Sequence, residues 1–450
     1  FIKICKMENM NVKKFERLES DESHYFQDWG SKRPIVPILE EVDNQIGVLP
    51  TKCTMNIVST TPLTSDIITS NDGITPDYVH ISEMYHIGKS KSSRHGISIC
   101  GEGQCRGLVS GRWDSEGIGK LTFTSKHNGE ESTIILVADG QHGKFYGDVL
   151  GPYSCDNHNE VTKRYEGMLK MDNNDIKMAK AKIGVRIEPY CRNNPNFNYI
   201  FNNEKVNPID MKYSDINSSD IKRWSQNYEV VYMGKRMKCI ATVIDVHNFV
   251  KSGMTFKKNM VNDYDRIFNM NDECAGGFLS LGGVWAIMGG RSSWALLGEK
   301  AGWHNTKTGI RFFLEFDESD KETVNIIKSK LFSESPEKAA KPQSLLTMKD
   351  NKNKPVWGNM VNDIVKKVNE FRQCGRKERE EEKKSVYSEK EINSLLNSLT
   401  GETIENFIVI LDANEARKCK SLRNDLQKRF GICKKEANTN TKNNAEMKLF

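Results

Sequence analysis

The stretch Pro37-Ile38-Leu39-Glu40-Glu41-Val42-Asp43-Asn44-Gln45-Ile46 decides the fold, together with Asn71-Asp72-Gly73-Ile74, which follows the apolar run Asp66-Ile67-Ile68-Thr69. The apolar positions of the first stretch recur at helical spacing. On that helix Glu40 and Asn44 are i and i+4, so they share one face one turn apart. A carboxylate and an amide oxygen are thereby offered to one small volume. A carboxylate can activate a water, and an amide oxygen can hold Mg²⁺. Glu41 competes with Glu40, but it points about 100° away on a helix, so the two cannot share one role.

Downstream come Tyr78-Val79-His80-Ile81-Ser82-Glu83-Met84-Tyr85-His86-Ile87, then Gly88-Lys89-Ser90-Lys91, then Gly96-Ile97-Ser98-Ile99-Cys100-Gly101-Glu102-Gly103. The order is a helix with Glu-x-x-x-Asn, a strand, an Asn-Asp-Gly turn, a helix, a Gly-Lys-Ser-Lys loop and a Gly-x-Gly turn. This order resembles the GHKL superfamily of ATPases, which includes DNA gyrase, the ninety-kilodalton heat-shock chaperone, histidine kinases and MutL. The resemblance covers residues 25–140 and extends more weakly to about residue 335. The loop from Gly88 is most similar to the MutL, microrchidia and viral or phage branches.

The resemblance implies an α+β fold: a two-layer α/β sandwich of the Bergerat type, then a second, transducer-like α/β domain and a charged helical C-terminal region. It implies ATP and Mg²⁺ as cofactors. Glu40 would be the general base that activates water at the γ-phosphate, and Asn44 the Mg²⁺ ligand. The family has Asp at the position of Asn71, where it accepts from the adenine amino group. Here either Asn71 accepts with its amide oxygen, or the turn slips and Asp72 takes the contact. Gly73 lets the backbone pass close to the base, while Thr75 stands where the family has a second glycine. Residues 88–103 would form a lid: Lys89, Lys91 and Ser90 would meet phosphate oxygens, and Gly88, Gly101 and Gly103 would admit backbone N–H groups. A lysine of the second domain, Lys328 or Lys330, would reach the γ-phosphate.

The resemblance further implies a homodimer formed on ATP binding and a DNA-associated conformational machine. The alternative is an ATP-binding regulatory or chaperone-like scaffold with little or no hydrolysis. Histidine kinase activity is disfavoured, because no phosphoacceptor helix is evident.

Composition bounds the rest. The 450 residues suffice for two or three domains, and the net charge of +6 is mildly basic, which fits DNA work without establishing it. No run of 18 apolar residues occurs, so no membrane association is expected and the protein reads as intracellular, cytoplasmic or nuclear, or within the host cell of a virus or phage. The eleven cysteines include no Cys-x-x-Cys, which argues for reduced thiols over structural zinc or a disulfide framework. The chain begins at Phe1, so Met7 or Met10 is a candidate start, or the sequence is a fragment.

The expected organisation is a flexible arm over 1–24, the ATP-binding domain over 25–225, the transducer-like domain over 226–335, a charged helical region with one strand over 336–433, and a disordered tail over 434–450. Strands are expected at Cys53-Thr54-Met55-Asn56-Ile57-Val58-Ser59, on both sides of the turn His127-Asn128-Gly129, on both sides of Gly234-Lys235, and at Ile310-Arg311-Phe312-Phe313-Leu314-Glu315-Phe316. Residues 141–228 read as strands broken by long loops.

Overall fold

The structure is a computed structural model. It describes residues 18–21, 35–62, 64–83, 118–139, 144–246, 276–281, 283–289, 309–331 and 342–385, with Phe249, Tyr264, Trp294 and Leu297. The fold is mixed α+β, built on two large sheets.

Helix α1 (Ile35–Ile46) buries Ile38, Val42 and Ile46 along one stripe. Pro37 sits in its first turn, where a missing N–H costs no intrahelical bond. The helix ends as Gly47 N–H reaches Asp43 O at 2.9 Å, and Leu49, at φ 56°, turns the chain toward Pro50. Strands β2 (Lys52–Ser59) and β3 (Thr64–Asn71) then form an antiparallel pair. Asp77 caps α2 (Tyr78–Glu83), its Oδ1 accepting from His80 N–H at 2.8 Å. Strands β4 (Ile118–His127) and β5 (Glu130–Asp139) meet at Asn128 (φ 53°) and Gly129 (φ 81°), the two positive angles a tight hairpin turn needs.

Strands β6 (Lys144–Ser154), β7 (Glu160–Leu169), β8 (Asn198–Phe201) and β9 (Glu204–Lys205) complete the first sheet with β1 (Leu18–Asp21). Its order is β1-β6-β5-β4-β7-β3-β2-β8-β9, and β2 pairs with β8 in parallel. Residues 18–21 fall inside the expected flexible arm, yet they pair with β6 as an edge strand.

Residues 141–228, expected as strands broken by long loops, do carry strands, but helices stand among them. Besides β6 to β9 this stretch holds α3 (Asn173–Arg186) and α4 (Glu188–Asn193). Asp172 caps α3 by accepting from Asp175 N–H at 2.7 Å. Ala179 and Ile183 of α3 join the core that contains α1, while Ala181 and Val185 join a second cluster with Phe278, Trp285 and Phe313.

The second sheet has the order β10-β11-β14-β12-β13, from β10 (Lys222–Tyr232), β11 (Lys235–Asp245), β12 (Gly276–Leu281), β13 (Val284–Met288) and β14 (Ile310–Phe316). The β10–β11 turn falls on Met233 (φ 51°) and Gly234 (φ 77°), one residue earlier than expected. Helices α5 (Lys321–Leu331), α6 (Pro342–Leu346) and α7 (Gly358–Ser385) follow.

Both sheets lie in one compact unit, residues 1–371; residues 372–450 form another, of which the end of α7 is described. The lid residues 88–103, the strand expected near 404–411 and the tail over 434–450 lie outside the described residues. Among the described residues no helix is long and apolar enough to cross a membrane, and Cys53, Cys155, Cys191 and Cys239 are free thiols.

Candidate functional site

Helix α1 turns different polar residues to different jobs. Glu41 faces the sheet and is buried. Its carboxylate lies 2.9 Å from Lys163 Nζ, and it accepts from Tyr165 Oη at 2.7 Å and Thr69 Oγ1 at 3.1 Å. Thr69 comes from β3, and Lys163 and Tyr165 from alternate inward positions of β7. Lys163 Nζ also stands 5.5 Å from the ring centroid of Phe123. A charge so deep is tolerated only because every partner is in place.

Asp43 leaves the helix in another direction. Arg186, in the last turn of α3, grips both its oxygens, with Nε to Oδ1 at 2.7 Å and Nη2 to Oδ2. Arg186 Nη1 also donates to the carbonyls of Trp285 and, at 2.6 Å, Ala286 on β13. Burial pushes the Asp43 carboxyl up, and the guanidinium draws it back only in part. Gln45 Nε2 donates to Thr54 O (3.0 Å) and Ser70 O (3.1 Å), and its Oε1 accepts from Tyr199 Oη (2.7 Å). Together these bonds pin α1 to β2, β3, β7 and β8, and through Arg186 to the second sheet.

Glu40 and Asn44 occupy the remaining flank and are half-buried. Glu40 Oε2 is shielded from solvent. Asn44 Nδ2 points at Glu41 Oε2 at 3.5 Å, a long contact that turns the amide oxygen the other way.

The turn after β3 is tightly specified. Asn71 is buried, and its Oδ1 accepts the Gly73 N–H at 3.2 Å. Asp72 Oδ1 accepts from the N–H groups of Thr51 and Lys52, both at 2.8 Å, and Oδ2 takes the Thr51 hydroxyl. Partial burial raises the Asp72 carboxyl, but these bonds outweigh it and hold the group below its ordinary value. Asp72 therefore clamps the start of β2 through both of its carboxylate oxygens. Thr75 is buried, with Oγ1 2.9 Å from His127 Nδ1.

Gly73 is required by close approach. A Cβ there would meet Val48 O at 2.4 Å, and Ile74 N–H bonds that same carbonyl at 2.7 Å. Gly73→Ala is expected to destabilise the chain by about 1–3 kcal/mol. Urea unfolding checks this, and unchanged stability would mean that Val48 moves aside freely.

The structure thus brings Glu40 and Asn44 together on α1 and sets Asn71 and Gly73 at the end of the adjoining β3. Gly88, Lys89, Ser90, Lys91, Gly101 and Gly103 lie outside the described residues. Lys328 and Lys330 sit half-buried in the last turn of α5, a helix that packs against α6 and β11. Lys163, Tyr165 and Arg186 were not anticipated. The one available signal was the alternation of Val161, Lys163 and Tyr165 along β7.

No family model and no curated protein matches the sequence. Among solved structures, the chain is similar to the ATPase region of Saccharomyces cerevisiae topoisomerase II, with a TM-score of 0.35 and 12% identity over 63% of this chain and 72% of that one. It is similar to the N-terminal domain of a DNA repair protein, with a TM-score of 0.33 and 12% identity over 69% and 96%. It is also similar to the B-subunit of DNA gyrase from Myxococcus xanthus, with a TM-score of 0.33 and 9% identity over 75% and 88%.

Proposed function

We propose that this chain is a Mg²⁺-dependent nucleoside triphosphate hydrolase of the GHKL type, an ATPase by resemblance, working in a DNA-associated conformational machine. The observation that carries the reading is the division of labour on α1. Glu41, Asp43 and Gln45 are bound to the protein's interior, whereas Glu40 and Asn44 share the other flank one turn apart. Such a rigidly seated helix holds a base and a ligand oxygen in fixed geometry.

Asn44 and Glu40 fit a Mg²⁺ ion and an attacking water. The Asn44 amide nitrogen faces Glu41, so its oxygen is the atom offered to a cation. Glu40 is acceptor-only when ionised and can orient a water and take its proton. Mg²⁺, when bound, offsets the negative charge of the phosphates. In this reading residues 88–103 order over the nucleotide, the closed state dimerises, and hydrolysis releases it. Lys328 or Lys330 would report the γ-phosphate to the second sheet. The substitutions at Asn71 and Thr75 favour a second reading, a nucleotide-gated scaffold with little turnover.

Asn44→Ala tests the first reading through Mg²⁺. Phosphate release by the full chain is expected to require Mg²⁺ and to fall at least about tenfold in the variant, with the loss eased by higher Mg²⁺. Hydrolysis indifferent to both Mg²⁺ and Asn44 would sink it.

A further inference from the structure

Among the described residues the two sheets end at β1, β9, β10 and β13, and all but β10 are blunted. β1, β9 and β13 are four, two and five residues long. Edges so short offer little to pair with. β13 is also engaged by Arg186, which donates to the carbonyls of Trp285 and Ala286. β10 runs eleven residues, holds no proline and keeps an unbroken register with β11. Prolines and bulges are the usual devices that close a long edge, and β10 has neither.

The turn shows which backbone groups are open. Met233 (φ 51°) and Gly234 (φ 77°) form a two-residue turn closed by Tyr232 and Lys235. The pair flanking such a turn exchanges hydrogen bonds, and bonded and unbonded pairs then alternate along the ladder. The N–H and C=O groups of Arg223, Ser225, Asn227, Glu229 and Val231 therefore face away from β11. The side chains of these residues are exposed as well. Among the described residues no backbone hydrogen bond reaches this edge. The apolar tip is open too, with Val231 63% and Met233 74% exposed.

We propose that β10 pairs antiparallel with β10 of a second copy of this chain, about a two-fold axis at Asn227, so that the two second sheets become one. The outward-facing residues must then meet each other, and this axis brings them together. Ser225 stands opposite the partner's Glu229, and Arg223 opposite the partner's Val231. No like charges are opposed. Arg223, its guanidinium already fixed on the carbonyls of Lys212 and Tyr213, lies diagonal to the partner's Glu229, a pairing of opposite charges. On the other face the half-buried Trp224 meets the partner's Val230, an aromatic beside a β-branched side chain. A foreign extended peptide would cover this edge and leave its own edge open, whereas two identical edges close each other. The contact needs no nucleotide and is separate from the nucleotide-dependent dimer proposed above.

Sedimentation of the full chain without nucleotide tests this. The wild type is expected to run at twice the chain mass at micromolar concentration. Asn227→Pro removes an N–H that points away from β11, so the ladder within one copy is kept. Both hydrogen bonds at the axis are lost, and the dimer should weaken at least about a hundredfold. Asn227→Lys sets two ammonium groups against each other at the axis, so its dimer should dissociate at low salt and return at high salt. Thermal unfolding of both variants checks that they are folded, and either one suffices. A wild type that is monomeric without nucleotide overturns the proposal. So does a dimer that the folded variants keep, or an open-ended polymer in place of a dimer. None of these results touches the nucleotide reading, which is measured with nucleotide present.

Discussion

Lys163→Met is expected to destabilise the chain by about 3–5 kcal/mol, the range for breaking a buried ion pair by removing one partner. The methionine fills much the same space against Phe123, so the loss is electrostatic and not a cavity. Glu41 would keep Tyr165 and Thr69 but lose its only countercharge among the described residues, at a position 1% exposed. Chemical denaturation of the wild type and variant measures it. The double variant Lys163→Met with Glu41→Leu should regain most of the loss, because an apolar pair of similar volume replaces an ion pair at little cost. A loss below about 1 kcal/mol in the single variant would mean that Glu41 rehydrates or takes up a proton easily, and that α1 is not held by this pair.

Arg186→Met is expected to have an effect of similar size, about 3–5 kcal/mol, for a related reason. It strands the buried Asp43 carboxylate and two carbonyls of β13 at once. Arg186→Lys should recover only part, since one ammonium cannot reproduce a fork that meets two carboxylate oxygens and two carbonyls. Urea unfolding checks both variants. Because the same guanidinium joins α1 to the second sheet, its loss should also uncouple the two, read as faster amide exchange in β13. Full stability in Arg186→Met would remove this joint from the account.

The elements legible in the sequence are those with one clean period. Ile38, Val42 and Ile46 mark α1, Asn128-Gly129 marks the β4–β5 hairpin, and β14 was bounded as found. Helix α3 escaped because it is buried on two sides. Ala179 and Ile183 face one core, Ala181 and Val185 the other, so its apolar residues alternate instead of forming a stripe, with lysines between them. Its cap at Asp172 was a usable signal. The partners of α1 were invisible for another reason: Lys163 and Arg186 lie more than a hundred residues from Glu41 and Asp43 in sequence, and only the fold brings them together. The role of Asp72 was likewise hidden, because what it clamps is the backbone of Thr51 and Lys52 on a neighbouring strand.

The central claim is that Glu40, not Glu41, drives nucleotide hydrolysis from the flank of α1. The direct measurement is single-turnover phosphate release from ATP, in Mg²⁺, by the full chain and by Glu40→Gln, with nucleotide affinity measured alongside. Glu40→Gln is expected to lower release by about a hundredfold or more, the range for loss of a general base, with affinity changed only a few-fold. Release by Glu40→Gln at the wild-type rate would contradict the claim.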